Sequence, residues 1–450
     1  MSSLVRLIAA MLVIFPAAAF IPRMALAQAE PNVIVDWELT AIVLGHNLGE
    51  RMKLKIENGQ LSGAVYQGEN ISLQGTLRGS QVTFTFKESD GRLNTYTGHF
   101  SGDSMSGEYS STDPHGIKTS GPWSAQRSLT RPANPVMHDF VPQQFYREFS
   151  STTEPALHIF AGDTVHTTSV DAGGTDEHSV ARVLGGNPLT GPFYIEGAMP
   201  GDVLAITIQR LQLNRDWAMS DKGLVGRVLT GEYRAKIKPD WSDTRWHLDT
   251  AKGIASLEKP SDALKNYSVP VRPMLGCVGV APGFGNAPVA AQDSGDFGGN
   301  LDFSLIGEGT TLYLAVNQPG ALLYVGDGHA LQGDGELNGN ALETSMDILF
   351  SVEVLREKNI DTPRAENAEF LMAIGLEGSL DAAIRDATSG LAAWLQADYA
   401  LSDGDVAALL GTSMQYTISE VADRNVGVVA KVPKRALALL KPAVPAAVLK

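Results

Sequence analysis

Residues 311–336 read TLYLAVNQPGALLYVGDGHALQGDGE. Two apolar runs rich in Leu, Val and Tyr flank Pro319-Gly320. They predict a pair of strands, because proline presets φ and glycine accepts the positive φ that a tight turn requires. The second run leads directly into Gly326, Asp327, Gly328 and His329, and then Gly333, Asp334, Gly335 and Glu336. Two readings of this loose, charged backbone stand side by side. It is a surface turn in which Asp bonds its own backbone, or a place where the chain comes close to a ligand while carboxylates and imidazole do chemistry.

Outward from this stretch the same strand grammar repeats. HIFAGDTVHTTSVDAG (158–173), GDVLAITIQRLQL (201–213) and ALETSMDILFSVEVLRE (341–357) are β stretches separated by turns such as Pro200-Gly201-Asp202. The period then changes: Leu380, Ala383, Ile384, Ala387, Leu391 and Leu395 recur at helical spacing, and Ser402 or Asp403 is placed to cap a second helix. Residues 221–275 lack clear periodicity and read as a long excursion over the domain. Upstream, residues 35–127 form short alternating stretches with Gly, Asn or Asp between them, the pattern of a small antiparallel β domain whose core Trp123 closes. SLTRPANPVMHD (128–139) carries two prolines and reads as a linker, leaving 140–440 as the main domain. The fold class is therefore α+β and mainly β: a small antiparallel β domain, then a large β-rich domain with late C-terminal helices.

The N-terminal MSSLVRLIAAMLVIFPAAAFIPRMALAQAE has a positive Arg6, an apolar stretch from Leu7 to Phe20 and a small-x-small Ala25-Leu26-Ala27. It reads as an export signal over 1–27, and so predicts a periplasmic or secreted product. No other segment reaches the ~18 uninterrupted apolar residues that a spanning helix needs, so no transmembrane segment is expected after cleavage. A net charge of −15, without a Lys/Arg-rich run, argues against nucleic acid as a partner. Cys277 is the single cysteine. It excludes an intrachain disulfide and, within apolar MLGCVGVAP, reads as buried and inert.

Carboxylates recur at strand ends beside glycine. Asp171 lies in TTSVDAGG, Glu196 in NPLTGPFYIEGAMPGDVL, Asp302 in GGNLDFSLIGEGTTLYLAV, and Glu343 in NALETSMD. Each alone is an ordinary turn; together with Asp327, His329 and Glu336 they point to one acid-rich site. HExxH, a P-loop, a dinucleotide-binding glycine pattern before a helix and a nucleophile elbow are all missing.

NPLTGPFYIEGAMPGDVLAI, GVAP, GGNLD, TLYLAVNQPGALLYVGDGHALQGDGE and ALETSMD, in this order, resemble the acetamidase/formamidase family, and the resemblance runs over roughly 138–435. It implies a β-rich, sandwich- or barrel-like enzyme that hydrolyses short aliphatic amides to carboxylate and ammonia. The chain departs from the family pattern at Met199 and Leu301, where the family often carries Glu and Met, and in its signal and extra β domain.

For amide hydrolysis the residues suggest activated water. Asp171, Asp327 and His329 would hold a divalent metal, Zn²⁺ being one choice. Glu196 or Glu336 would act as base and acid beside the catalytic Asp327 and His329. Gly326, Gly328, Asp302 and Glu343 would meet the substrate. A metal-free route with Glu196 as base, a structural Ca²⁺ site, and a His329 that merely braces the turn use the same residues. A hydrolase of a larger amide or carbamate, and an exported binding protein on the same fold, are the alternative functions. The late helices and β-rich domain are compatible with a homo-oligomer.

Overall fold

A computed structural model describes residues 34–443 apart from 239 and 241. The export signal expected at 1–27 lies outside the described residues. From residue 35 the alternation of apolar and polar side chains puts one face of every strand inward. Eight strands result: β1 (Val35–Val43), β2 (His46–Glu57), β3 (Gln60–Tyr66), β4 (Asn70–Arg78), β5 (Gln81–Lys87), β6 (Leu93–Ser101), β7 (Ser104–Thr112) and β8 (Lys118–Arg127). Each pairs with the next, and β1 closes on β8 with Trp37 opposite Arg127, which makes a barrel without free edges. Leu39, Met52, Leu54, Leu73 and Val82 fill it. Phe84 stacks on Tyr96 at 4.8 Å between ring centres, and Trp123 meets both edge-on at 5.4 Å.

The rest of the chain builds two larger sheets. A six-stranded sheet runs in the order Leu157–Ile159, Leu189–Ile195, Leu323–His329, Met274–Gly279, Gly298–Asn300 and Ser294–Gly295. A nine-stranded sheet has Val203–Leu213 between Thr311–Ala315 and Met346–Leu355 at its middle. Their apolar faces share one core, in which Phe193 of the first sheet meets Phe350 of the second at 5.3 Å. The strand Leu323–His329 is buried along its whole length because it has neighbours on both edges and material on both faces.

The late helices follow the sequence. Leu380–Tyr399 is capped by Ser379 and lays Ala383, Ala387, Leu391 and Leu395 against the strand Phe370–Glu377. Gly375 permits this contact, since a Cβ there would stand 2.0 Å from the carbonyl oxygen of Ala383. Asp403–Ser413 begins at Ser402 with a full capping box to Asp405. The stretch 221–275 departs from the expected excursion. Trp217–Asp221, Asp243–Asp249, Ile254–Leu257 and Ser268–Pro270 form a four-stranded meander. It shows little periodicity because few of its residues, Ala218, Leu248 and Ala255 among them, are buried. The segment after the barrel also contributes a short strand, Met137–Asp139, which pairs in parallel with Thr164–Thr168.

The barrel meets the larger body through β2. Met52 and Leu54 point inward, so by alternation Arg51 and Lys53 point out. The Arg51 guanidinium donates to Asp202 Oδ1 at 2.8 Å and Oδ2 at 2.6 Å, and to the Gly197 carbonyl at 2.8 Å. Both partners are buried, 2% and 0% exposed in their side chains. Lys53–Glu357 at 2.7 Å and Arg356–Asp36 at 2.6 Å flank this pair nearer solvent.

Arg51→Met strands a desolvated Asp202. It should lower stability by about 3–5 kcal/mol in urea unfolding. Adding Asp202→Asn should restore part of that loss, whereas an unchanged midpoint for the single variant would show that the junction contributes little.

Candidate functional site

Asp327 and His329 stand two residues apart on the strand Leu323–His329, so their side chains share one sheet face. The neighbouring strand Met274–Gly279 pairs with Leu275 opposite Gly328 and Cys277 opposite Gly326. Gly276 therefore lies across from Asp327. Its missing side chain is what admits the acids: a Cβ there would sit 2.3 Å from Asp327 Oδ2 and 2.6 Å from Asp302 Oδ1. Asp302 follows the strand Gly298–Asn300 and is bound to the Gly276 carbonyl through its backbone N–H at 3.3 Å. Glu343 is held against the strand end, its N–H on the Met219 carbonyl at 2.8 Å and the next N–H, of Thr344, on the Gly328 carbonyl at 2.8 Å. Three of these acids have left-handed backbones, Asp302 with φ 39°, Asp327 with φ 57° and Glu336 with φ 46°. Such conformations cost of order 1–3 kcal/mol each for non-glycine residues and persist only where surrounding structure imposes them.

The side chains converge on His329. Its Nε2 lies 3.2 Å from Glu343 Oε2 and 3.4 Å from Asp327 Oδ2, and its Nδ1 is 3.7 Å from Asp302 Oδ1. One hydrogen bond orients the ring. Gln332 Nε2 donates to the carbonyls of Asp302 and, at 3.1 Å, Ser419, so the Gln332 Oε1 must face His329 and accept from Nδ1 at 3.0 Å. Nε2 is then either a proton donor or a bare lone pair among carboxylates. No hydrogen-bond partner reaches it, nor does any reach Asp302 Oδ1, Asp327 Oδ1 or Glu343 Oε2. Four orphaned buried polar atoms around one point are uncommon, since buried polar groups are nearly always paired. The acids and imidazole form two potential ligand sets that share His329: Asp302 with Asp327, and Glu336 with Glu343.

Burial sets the electrostatics. It lifts Asp302 and Glu336 well above the usual carboxylate range, with mutual repulsion adding to the effect, and raises Glu343 to about 7. Burial alone would push His329 down; Glu343 and Asp327 outweigh it and hold the imidazole well above its ordinary value. The arrangement therefore favours positive charge at its centre, as an imidazolium or as a divalent cation for which imidazole nitrogen and carboxylate oxygen are suitable donors.

Two of the residues singled out from sequence lie apart from this centre. Glu196 sits one residue beyond the strand Leu189–Ile195, at the end opposite Leu189, which faces Gly326. Seven residues of strand separate them, roughly 23 Å. Its Oε1 bonds His158 Nδ1 at 2.7 Å. Asp171 is near Glu343, but Arg215 Nη2 at 2.6 Å and the Thr175 N–H at 2.8 Å occupy its oxygens. It fixes Arg215, which also reaches Thr344 Oγ1 at 2.9 Å and the Glu343 carbonyl at 3.3 Å. Gly326 and Gly328 serve packing: a Cβ would meet the Pro188 carbonyl at 2.7 Å in the first case and Met346 Cγ at 2.3 Å in the second.

Several residues escaped the sequence reading. Asn300 bonds Asp302 Oδ2, and Asp423 Oδ2 at 2.6 Å. Asn187 donates to Asp327 Oδ2 at 3.1 Å. Asn300 stands within the quoted GGNLD and was legible there; Asn187, Gln332 and Asp423 carry no local signal. Cys277 is buried beside the site, its thiol on Asn300 Oδ1 at 2.8 Å. Burial and the adjacent Asp327 and Asp302 raise its pKa far up, so it stays a thiol. A depression of about 420 Å³ is lined by Asp221, Arg227, Arg234 and Asp423 among others, and Asp423 is the residue that bonds Asn300.

Residues 288–427 match the model of the Acetamidase/Formamidase family. A formamidase candidate of Schizosaccharomyces pombe is 25% identical over 217 residues, 37% of this chain and 52% of that protein. The chain thus spans about half the length of that curated relative. The crystal structure of an acetamidase/formamidase candidate from the thermophile Thermoanaerobacter tengcongensis is 28% identical and superposes with a TM-score of 0.58, covering 67% of this chain and 97% of that one. Acetamidase from Yersinia enterocolitica is 27% identical with a TM-score of 0.59, covering 69% and 96%. Beyond the barrel, both sequence and fold are similar to those of the acetamidase/formamidase family.

Asp327→Asn should weaken Zn²⁺ binding at least about tenfold by calorimetry. It should leave the melting temperature level or higher, because it removes one of several crowded acids. Gly276→Ala should fold and show the same loss of cation affinity, by displacing both carboxylates. Unchanged affinity in both variants would remove the acids from any metal site.

Proposed function

We propose that the chain hydrolyses the C–N bond of short linear amides, formamide- or acetamide-like, to a carboxylate and ammonia. The observation that carries this reading is the bare Nε2 of His329, fixed by Gln332 and facing Asp327 and Glu343 in a dry site. Family resemblance beyond the barrel supports the reaction class. A divalent cation would be held by His329 with Asp302 and Asp327, or with Glu336 and Glu343, and would supply Lewis acidity toward the amide carbonyl and a lowered pKa for water.

The chain's own groups handle the protons. Glu343, raised by burial to about 7, is matched to accept a proton from water at neutral pH and return it to the departing nitrogen. Water adds to the carbonyl carbon, the C–N bond breaks with that proton on nitrogen, and ammonia leaves. Arg215 holds the backbone of Glu343, and Gln332 fixes the imidazole plane, so neither donor set must reorganise during the reaction. Exclusion of bulk water strengthens each of these interactions.

Purified chain should release ammonia from formamide and acetamide, lose that activity on chelation and regain it with Zn²⁺. Glu343→Gln should lower kcat by at least about 10²-fold, and cation binding that persists in this variant would assign the ion to His329 with Asp302 and Asp327. Turnover confined to larger amides or carbamates would shift the substrate class. A folded protein without turnover on any of them would favour a binding role on this fold. For the N-terminal segment we infer export to the periplasm or medium, which a mature N-terminus at Gln28 in the exported product would support and an intact Met1 would refute.

A further inference from the structure

A cavity of about 510 Å³ lies away from the acid cluster, in the mouth of the N-terminal barrel. Its volume falls in the range of small-molecule sites. The alternation that sends Arg51 outward sends Glu50 inward, on the same face as Met52 and Leu54. Glu50 is 5% exposed, and no hydrogen-bond partner reaches its Oε2. Gln67 alone donates to the other oxygen. Ser111, also 5% exposed and on the interior face of β7, has an unpartnered hydroxyl. Both groups leave a buried polar atom unpaired, which costs free energy, and for Glu50 no counter-charge among the described residues offsets the burial of the carboxylate.

Charge and shape narrow what would complete the site. Glu88, the other acid on the cavity wall, is already served by Asn94 Nδ2 at 2.6 Å and by Arg92 Nε at 3.7 Å. Arg92 is further shared with Asp90 at 3.6 Å. Among the described residues, no free cation therefore remains on the wall for Glu50. The wall also carries the aromatic side chains of Tyr66, Phe86 and Tyr96, and aromatic rings attract positive charge. Pro200, Gly201 and Asn359 of the larger body complete the rim, so the cavity belongs to the assembled chain and not to the barrel by itself.

We propose that the barrel is a binding site for a small organic cation, a protonated amine or amidine on an apolar body, with Glu50 as its counter-ion and Ser111 as a second polar contact. This site is independent of the amide-hydrolysis reading, since none of its residues belongs to the acid cluster around His329.

Benzamidine is a suitable probe, because neutral benzamide and anionic benzoate have nearly its shape. Calorimetry on the full chain at pH 8 should show saturable one-to-one binding of benzamidine, at least about tenfold tighter than either analogue. Glu50→Gln should weaken it at least about tenfold, with the near-ultraviolet circular dichroism of the Phe84, Tyr96 and Trp123 cluster unchanged. Should that variant lose the aromatic signal, Ser111→Val carries the test with an expected loss of about fivefold. Absence of saturable binding, equal affinity for benzoate, or affinity indifferent to the folded variant would overturn the proposal.

Discussion

Four carboxylic acids crowd around one buried imidazole, and that crowding is the constraint on which the larger body turns. In water, Asp302, Asp327, Glu336 and Glu343 would repel each other weakly; buried, their repulsion and lost hydration rise together. The surrounding chain is arranged to hold them there. Gly276 clears the volume in front of Asp327, and left-handed backbone at Asp302, Asp327 and Glu336 aims the acids inward. Gln332 turns the imidazole, and Asn300 ties Asp302 to Asp423. Each device is unfavourable or neutral for folding and becomes intelligible once a cation, proton or reacting group is placed among the acids.

A second constraint couples the two bodies. Both have their own apolar core, and the contact between them is polar at its centre, a buried guanidinium–carboxylate pair. Such a pair adds little net stability compared with apolar packing, but it fixes geometry, because the planar fork of Arg51 accepts only one orientation of Asp202. The strand β2 serves both purposes through its period of two: odd residues reach the larger body, even residues line the barrel. Orientation of the barrel mouth against Pro200 and Gly201 follows from that single registration.

Much of the fold was open to a reader of the sequence. Alternation in 35–127 predicts antiparallel strands, and the shift to helical spacing at Leu380 predicts the long helix, because strand and helix periods depend only on local backbone geometry. Residues 221–275 were less readable, since a meander lying mostly at the surface buries too few side chains to leave a period. Within the site, Asp302, Asp327, His329, Glu336 and Glu343, read from the sequence as members of one acid-rich group, lie together around the imidazole. Glu196 looked equivalent to them on the page, with the same strand-end glycine setting, yet it lies at the far end of its strand beside His158.

Local chemistry was thus written in the chain: which segments extend, where turns fall, which acids stand at strand ends, and that a family resemblance runs through the larger body. Convergence was decided only by tertiary structure. Gly276, Asp302, Asp327 and Glu343 come from separate strands and loops, and their meeting depends on which strands pair and in which register. The same holds for the match of Asp171 to Arg215 and of Arg51 to Asp202, each separated by many residues. Sequence spacing specifies direction along one element, whereas distance between elements follows from the burial of the whole core.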